Sequence, residues 1–149
     1  FDMELDHLQP ENPDQLKKKE QKAVDHFNEL IDALNDKEID ETTENYIKKR
    51  ISVIKDNFTY NTIKKEESKI LDYINKHLGY VAENHYKSLW IALGMSAIGV
   101  PIGVAIGLAL DQLGFMGIGI AFGLAIGVGI GSSKDQEAKK QGKQLPITK

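Results

Sequence analysis

The chain has 149 residues, no cysteine and a formal net charge of −3. That length suits one domain or two small ones, and the composition excludes disulfides, thiolate metal sites and thiol catalysis. Residues 1–88 sum to −5 and the stretch from Gly131 onward to +3, so no part is basic enough for the electrostatic footprint of a nucleic-acid binder.

Residues 1–12 read as an irregular leader. FDMELDHLQPENPDQ is acidic and lacks an apolar core, which is not the pattern of a signal peptide. The first methionine is Met3; a native start there and a processed N-terminus both fit. Asn12-Pro13 predicts a helix start, with Asn12 as cap, Pro13 at the first helical position and Gln15 completing a capping box. Leu16, Ala23, Val24, Phe27, Leu30, Ile31 and Leu34 follow at three- and four-residue spacing, one apolar stripe on a helix over roughly 13–36.

A polar break, Asn35–Asp40, precedes a second helix that starts near Asp40 or Thr42 and carries Tyr46, Ile47, Ile51, Ile54 and Phe58. FTYN (58–61) predicts a turn with Asn61 as a cap. A third helix carries Ile63, Ile70, Leu71, Ile74, Leu78 and Val81, with Gly79 ending or bending it. Three amphipathic helices over 13–88 predict a small soluble bundle of limited core. Its acid pairs, Glu66-Glu67 and the Asp36–Glu44 cluster, read as solvated helix ends. His7, His26, His77 and His85 show no metal spacing and read as surface or interface residues. GxSxG, P-loop and HExxH patterns are absent, so neither an enzyme nor a cofactor or metal site is expected.

The next stretch, 89–131, has one formal charge, Asp111. Spans of 22 residues (89–110) and 19 residues (113–131) reach about 33 and 28 Å as helices, enough to cross hydrocarbon. Asp111, Gln112 and Gly114 predict the turn between them, and Pro101 a kink. A buried hairpin in a soluble protein is disfavoured by the ten glycines in 89–130, each costing about 1 kcal/mol relative to Ala in a water-exposed helix. The strict alternation of large and small residues from Ile98 also fits strands. Both faces are apolar, however, the spans are twice a membrane strand's length, and Pro101 would interrupt a ladder. Helices are the expectation. Tyr86, Lys87 and Trp90 before the first span, and Lys134 after the second, have the composition of membrane-interface anchors.

At 100° per residue, Gly99, Gly103 and Gly107 share one face, while Pro101, Ala105 and Ala109 share another about 200° away. The second span repeats this with Gly119, Gly123, Gly127 and Gly131, and with Gly117, Ala121, Ala125 and Gly129. Each helix thus offers two close-packing grooves. A lone hairpin fills one, and the other invites a second copy. GVPIGVAIGLAL and GIGIAFGLAIGVGIG, closed by SSKDQEAKKQG, resemble the tandem hairpin of bacterial glycine-zipper membrane proteins over about a third of the chain, 95–142. That resemblance implies membrane insertion and self-association rather than one activity. Its lipoprotein branch carries a lipidated Cys, which this sequence lacks.

The expected fold is therefore all-α: a cytosolic three-helix region, a two-helix transmembrane glycine-zipper hairpin, and a basic tail over 132–149. Lysines flanking both spans predict an inner membrane with both termini cytoplasmic. The expected partners are the lipid bilayer, further copies of the chain and a cytosolic protein bound through 13–86. Two functions fit, a pore or channel controlled by the helical region and an oligomeric anchor that presents it. Two-groove packing favours the pore; against it, Ser96 is the only polar residue within either span that could face a lumen.

Overall fold

The apolar stripes of the first half fold as helices where their spacing dictates, except that Leu16, Phe58 and Val81 fall outside them. The computed structural model describes residues 4–148; the alternative start at Met3 lies outside them. Helices α1 (Lys18–Asn35), α2 (Glu41–Asp56) and α3 (Tyr60–Leu78) are followed by a short strand β1 (Val81–Glu83). Then come α4 (His85–Leu93), a wide π-helical segment (Gly94–Gly99), α5 (Val100–Ala109), α6 (Met116–Lys140) and strand β2 (Gln144–Thr148). The chain is all-α, a three-helix region followed by a two-helix hairpin, apart from the two-stranded pairing of β1 with β2. Two compact units result: one runs to Ala82 and includes Leu145–Ile147, and the other holds Glu83–Gln144 and Thr148.

In the first unit α3 packs against both α1 and α2. The stripe residues Phe27, Leu30, Ile31, Leu34, Ile47, Ile54, Ile63, Ile70 and Ile74 form its buried core. Helix starts differ from the sequence expectation. Pro13–Gln15 is an isolated 3-10 turn and Asn12 makes no side-chain cap. Leu16 and Lys17 are extended, so α1 begins at Lys18, where the Glu20 carboxylate accepts the Lys17 N–H at 3.0 Å. Asp40 caps α2 by accepting from Thr43 N–H at 3.3 Å. Thr59, not Asn61, caps α3 by accepting from Thr62 N–H at 3.3 Å. Gly79, at φ 74°, ends α3, so Val81 sits on a strand and not on the helix.

Two terminal stretches are part of this core. The leader has no regular structure over residues 4–10, yet Leu5 and Leu8 are 2% and 1% exposed. Asn28 and Asn35, two turns apart on α1, each accept and donate one bond to that segment's backbone. Asn35 pairs with Leu5 at 2.8 and 3.1 Å, and Asn28 with Leu8 at 2.7 and 3.2 Å. The side-chain amides replace the strand partner that the extended backbone lacks. At the other end, the stretch expected to be a basic tail continues α6 to Lys140, turns, and returns as β2 with Leu145 and Ile147 buried in the same core. The period-two pattern of Leu145 and Ile147 is the signal for that strand.

The acid pair Glu66-Glu67 is buried at 2% and 3% exposure, and Glu44 at 5%, a correction to their reading as solvated ends. Each has found a cation. Glu66 accepts from Lys69 at 2.7 Å and Arg50 at 3.2 Å, Glu67 pairs with Lys64 at 2.9 Å and His26 at 2.7 Å, and Glu44 pairs with Lys48. The Arg50 guanidinium also lies 5.1 Å from the Tyr46 ring centre, and Tyr46 stacks on Tyr73 at 3.9 Å. Burial pushes the Glu66 carboxyl up, but hydrogen bonds and charge from Lys69 and Arg50 outweigh it and hold it below its ordinary value of 4.5. A depressed carboxyl contributes stability that is present above its unfolded value and lost as pH falls through the folded one. The full chain is therefore expected to lose urea resistance below about pH 4.5. Glu66→Gln should flatten that acid limb, as followed by helical circular dichroism; an unchanged limb would show that Glu66 does not drive it.

Candidate membrane hairpin

The second unit is built from two long apolar helical paths. Among the described residues, His85–Ala109 and Leu113–Lys140 are the two helices long and apolar enough to cross a membrane, and their most apolar windows are only 22% and 17% buried. A soluble core helix would be mostly covered. Here Leu108, Leu113 and Phe122 are 70%, 69% and 59% exposed, a large apolar surface of the kind that marks an interaction site. Both paths exceed the expected spans. The first begins at His85, before Trp90, and α6 runs nine residues past Gly131.

Gly99, Gly103, Gly107, Gly119, Gly123, Gly127 and Gly131 are all buried, and they face the opposite helix. A Cβ on Gly99 would lie 3.0 Å from both Gly119 O and Ile120 Cα, and one on Gly123 2.7 Å from Gly99 Cα. Near the polar end, a Cβ on Gly127 would lie 2.9 Å from Ile91 Cα and one on Gly131 2.9 Å from Lys87 N. Backbone thus packs on backbone along most of the interface, which only glycine permits. At Gly107 the nearest atoms are 3.5 Å away, ordinary contact, so the helices relax apart toward the turn.

The sequence reading missed Gly94, which sits in the same interface. Five residues separate it from Gly99, so on a regular helix the two would diverge. The π-helical segment Gly94–Gly99 takes the extra residue into one wide turn and returns Gly94 to the packing face. Pro101 follows directly at the start of α5. Its ring would crowd the carbonyl four residues back in a regular helix, and a wide turn immediately before it relieves that. Ser96 donates to Ala92 O at 2.7 Å, so the one hydroxyl between Leu89 and Ala109 is satisfied within its own helix.

The second small face stays open. Ala105, Ala109, Ala121 and Ala125 are exposed, and a Cβ on Gly117 or Gly129 would meet nothing within 4 Å. At the far turn, Asp111 adopts φ 51°, a left-handed conformation. Its N–H donates to Leu108 O at 3.3 Å and Gln112 N–H to Gly107 O at 2.9 Å, the bond pair that closes a helix end with a left-handed residue. Gly114 lies in the short 3-10 turn Leu113–Phe115 and packs on nothing.

The polar end is closed by a carboxylate. Asp135 is 7% exposed, and its two oxygens accept the Tyr86 and Lys87 N–H groups, each at 2.9 Å. These are first-turn amides of α4, whose own cap residue, Asn84, is left-handed and makes no side-chain bond. The end of one hairpin helix thus caps the start of the other, with the charge matched to the helix dipole. Sequence reasoning counted Asp135 only as a tail charge. The signal was present: Gly119, Gly123, Gly127, Gly131 and Asp135 form one four-residue repeat. Lys134 lies 6.0 Å from the ring centres of both Tyr86 and Trp90, so three of the expected anchors gather at this end with Lys87 in the same first turn.

No family model, curated protein or solved structure matches the chain.

Proposed function

We propose that this chain is an integral membrane protein whose glycine-zipper hairpin self-associates and anchors the three-helix unit as a docking module. The observation that carries the reading is the division of the small residues. The glycine faces are consumed inside the hairpin, while Ala105, Ala109, Ala121 and Ala125, with Gly117 and Gly129, leave a second groove uncovered. In lipid, such a groove is filled best by another close-packing helix. Both ends of the hairpin run into the paired strands β1 and β2, and lysines cluster at those ends, which favours a cytoplasmic membrane with both termini inside.

The sequence favours a pore, which needs a polar path along the helices. Ser96 is satisfied by Ala92, and Asp111 and Gln112 lie in the turn, so the anchor is the better-supported reading. A docking role for the first unit is supported by an open cleft of about 780 Å³ whose lining includes three acids, Asp6, Glu11 and Glu20, against one lysine, Lys55, with His7 and the apolar Leu16 and Phe58. A net acidic lining with apolar members suits a basic peptide bearing apolar side chains.

Reconstituted in dye-loaded liposomes, the full chain is expected to resist carbonate extraction and to leave the dye inside. In detergent it should form an oligomer that Ala125→Leu reduces in mass without loss of helix. Rapid dye release by inserted protein would replace the anchor by the pore, and extraction by carbonate would remove the membrane reading itself.

A further inference from the structure

Residues 4–10, ELDHLQP, lie along α1 as a peptide lies on a receptor. The segment runs antiparallel to the helix, with Leu5 at Asn35 and Leu8 at Asn28. Three extended residues and seven helical ones each span about 10 Å, so the two asparagines fall in register with two backbone units of the segment. Each amide closes a pair of bonds with one residue. It accepts the N–H at 2.8 Å for Leu5 and 2.7 Å for Leu8, and donates to the carbonyl at 3.1 and 3.2 Å. Such pairs read backbone and ignore side chains, so they suit any extended segment. Side chains are read at three places: at Leu5 and Leu8, both buried, and at His7, whose Nε2 lies 2.6 Å from the Asp32 carboxylate.

The segment that fills this seat is a poor electrostatic match for it. Asp25, Glu29, Asp32 and Asp36 are all exposed, and residues 23–36 contain no lysine or arginine, His26 being their one basic group. At 100° per residue, Asp25, Asp32 and Asp36 lie within about 80° of Asn28, on the solvent side of the asparagine stripe. Onto this acidic face the leader brings Glu4 and Asp6, both exposed, against the single half-exposed His7.

We propose that this face of α1 is a docking seat for an extended basic segment of a partner protein, and that the leader fills it as a built-in competitor. Two aliphatic side chains three residues apart take the Leu5 and Leu8 sites, and a lysine or arginine takes the place of His7 on Asp32. A permanent cation there, with basic residues in place of Glu4 and Asp6, turns like-charge opposition into attraction. The inference deepens the docking reading above and rests on it. The leader also lines the acidic cleft, so a basic segment drawn to that cleft lies beside the seat it would take.

The test uses the detergent-solubilised full chain and a fluorescent peptide, KLKRLQP, which is residues 4–10 with basic residues at three positions. Leu5→Ser with Leu8→Ser unseats the leader and is expected to tighten peptide binding about tenfold, because a seat that is free more of the time shows more of its intrinsic affinity. In that background, Asn28→Ala with Asn35→Ala should weaken binding at least about tenfold, and Asp32→Asn about threefold. The peptide with alanine for both leucines should not bind. Helical circular dichroism checks that each variant is folded. In the unmodified chain, the peptide should speed amide hydrogen exchange at Leu5 and Leu8, a readout that needs no variant. Binding with that exchange unchanged would overturn the seat and leave the cleft as the docking site. Binding of ELDHLQP as tightly as KLKRLQP would replace the basic partner by the leader of a second copy. Absence of binding to the folded leader variant would overturn the seat, and absence of binding to the unmodified chain as well would remove the docking reading with it.

Discussion

Gly123→Leu is expected to break the hairpin, whereas Gly129→Leu, six residues along the same helix, leaves it intact. A side chain at Gly123 would start 2.7 Å from Gly99 Cα and 2.8 Å from Gly99 N. Both are backbone atoms and cannot swing aside, so the helices must separate. Overpacking against movable side chains costs about 1–3 kcal/mol, and a backbone obstacle lies at or above the top of that range. The separation would also uncouple the Gly99, Gly119 and Gly127 contacts that share the interface. At Gly129 there is nothing within 4 Å, so a leucine there meets only what lies outside the chain. Trp90 is the sole tryptophan and sits on this interface, which makes its emission a direct reporter. In denaturant titrations of the detergent-solubilised protein, Gly123→Leu should lose the cooperative transition. Gly129→Leu should keep it and lower the oligomer mass. Equal destabilisation by both would mean that inner and outer faces have been misassigned.

Asp135→Ala is expected to cost roughly 2–4 kcal/mol, the loss of two charge-assisted bonds at a helix start. It strands the Tyr86 and Lys87 N–H groups, which Asp135 alone satisfies at 2.9 Å. Asn84 cannot take over, because its left-handed backbone makes no side-chain cap. Asp135→Asn should recover part of the loss, since one amide oxygen can replace one carboxylate oxygen. The readout is amide hydrogen exchange at Tyr86 and Lys87, expected to accelerate in the alanine variant and to be intermediate in the asparagine one. Unchanged exchange would mean that water or another group caps α4.

The elements that were legible in the sequence are those set by local chemistry. The stripes of α1, α2 and α3 appear as three- and four-residue spacing because a single helix fixes which residues share a face. The two apolar helices and the small faces at Gly99, Gly103, Gly107 and Gly119 through Gly131 follow from the same geometry. The Asp111-Gln112 turn follows from being the one polar break.

What stayed hidden needed a partner distant in the chain. Glu66 and Glu67 look solvated until α1 and α2 bring His26 and Arg50 to them. Leu5 and Leu8 look irregular until Asn35 and Asn28 bind their backbone. Leu145 and Ile147 look like a tail until β1 supplies a strand. Gly94 looks out of phase until one wide turn restores its register, and that turn is selected by the helix packed against it.

By itself, therefore, the sequence determined a charged helical region, an apolar hairpin and two small-residue faces on each of its helices, because periodicity is a property of one helix. Only the tertiary structure decided which face closes the hairpin and which stays open. It alone turned Asp135 from a tail charge into the cap that joins the two helices, because the first fact depends on which glycine backbones meet across the hairpin and the second on a carboxylate reaching amides 48 and 49 residues earlier in the chain.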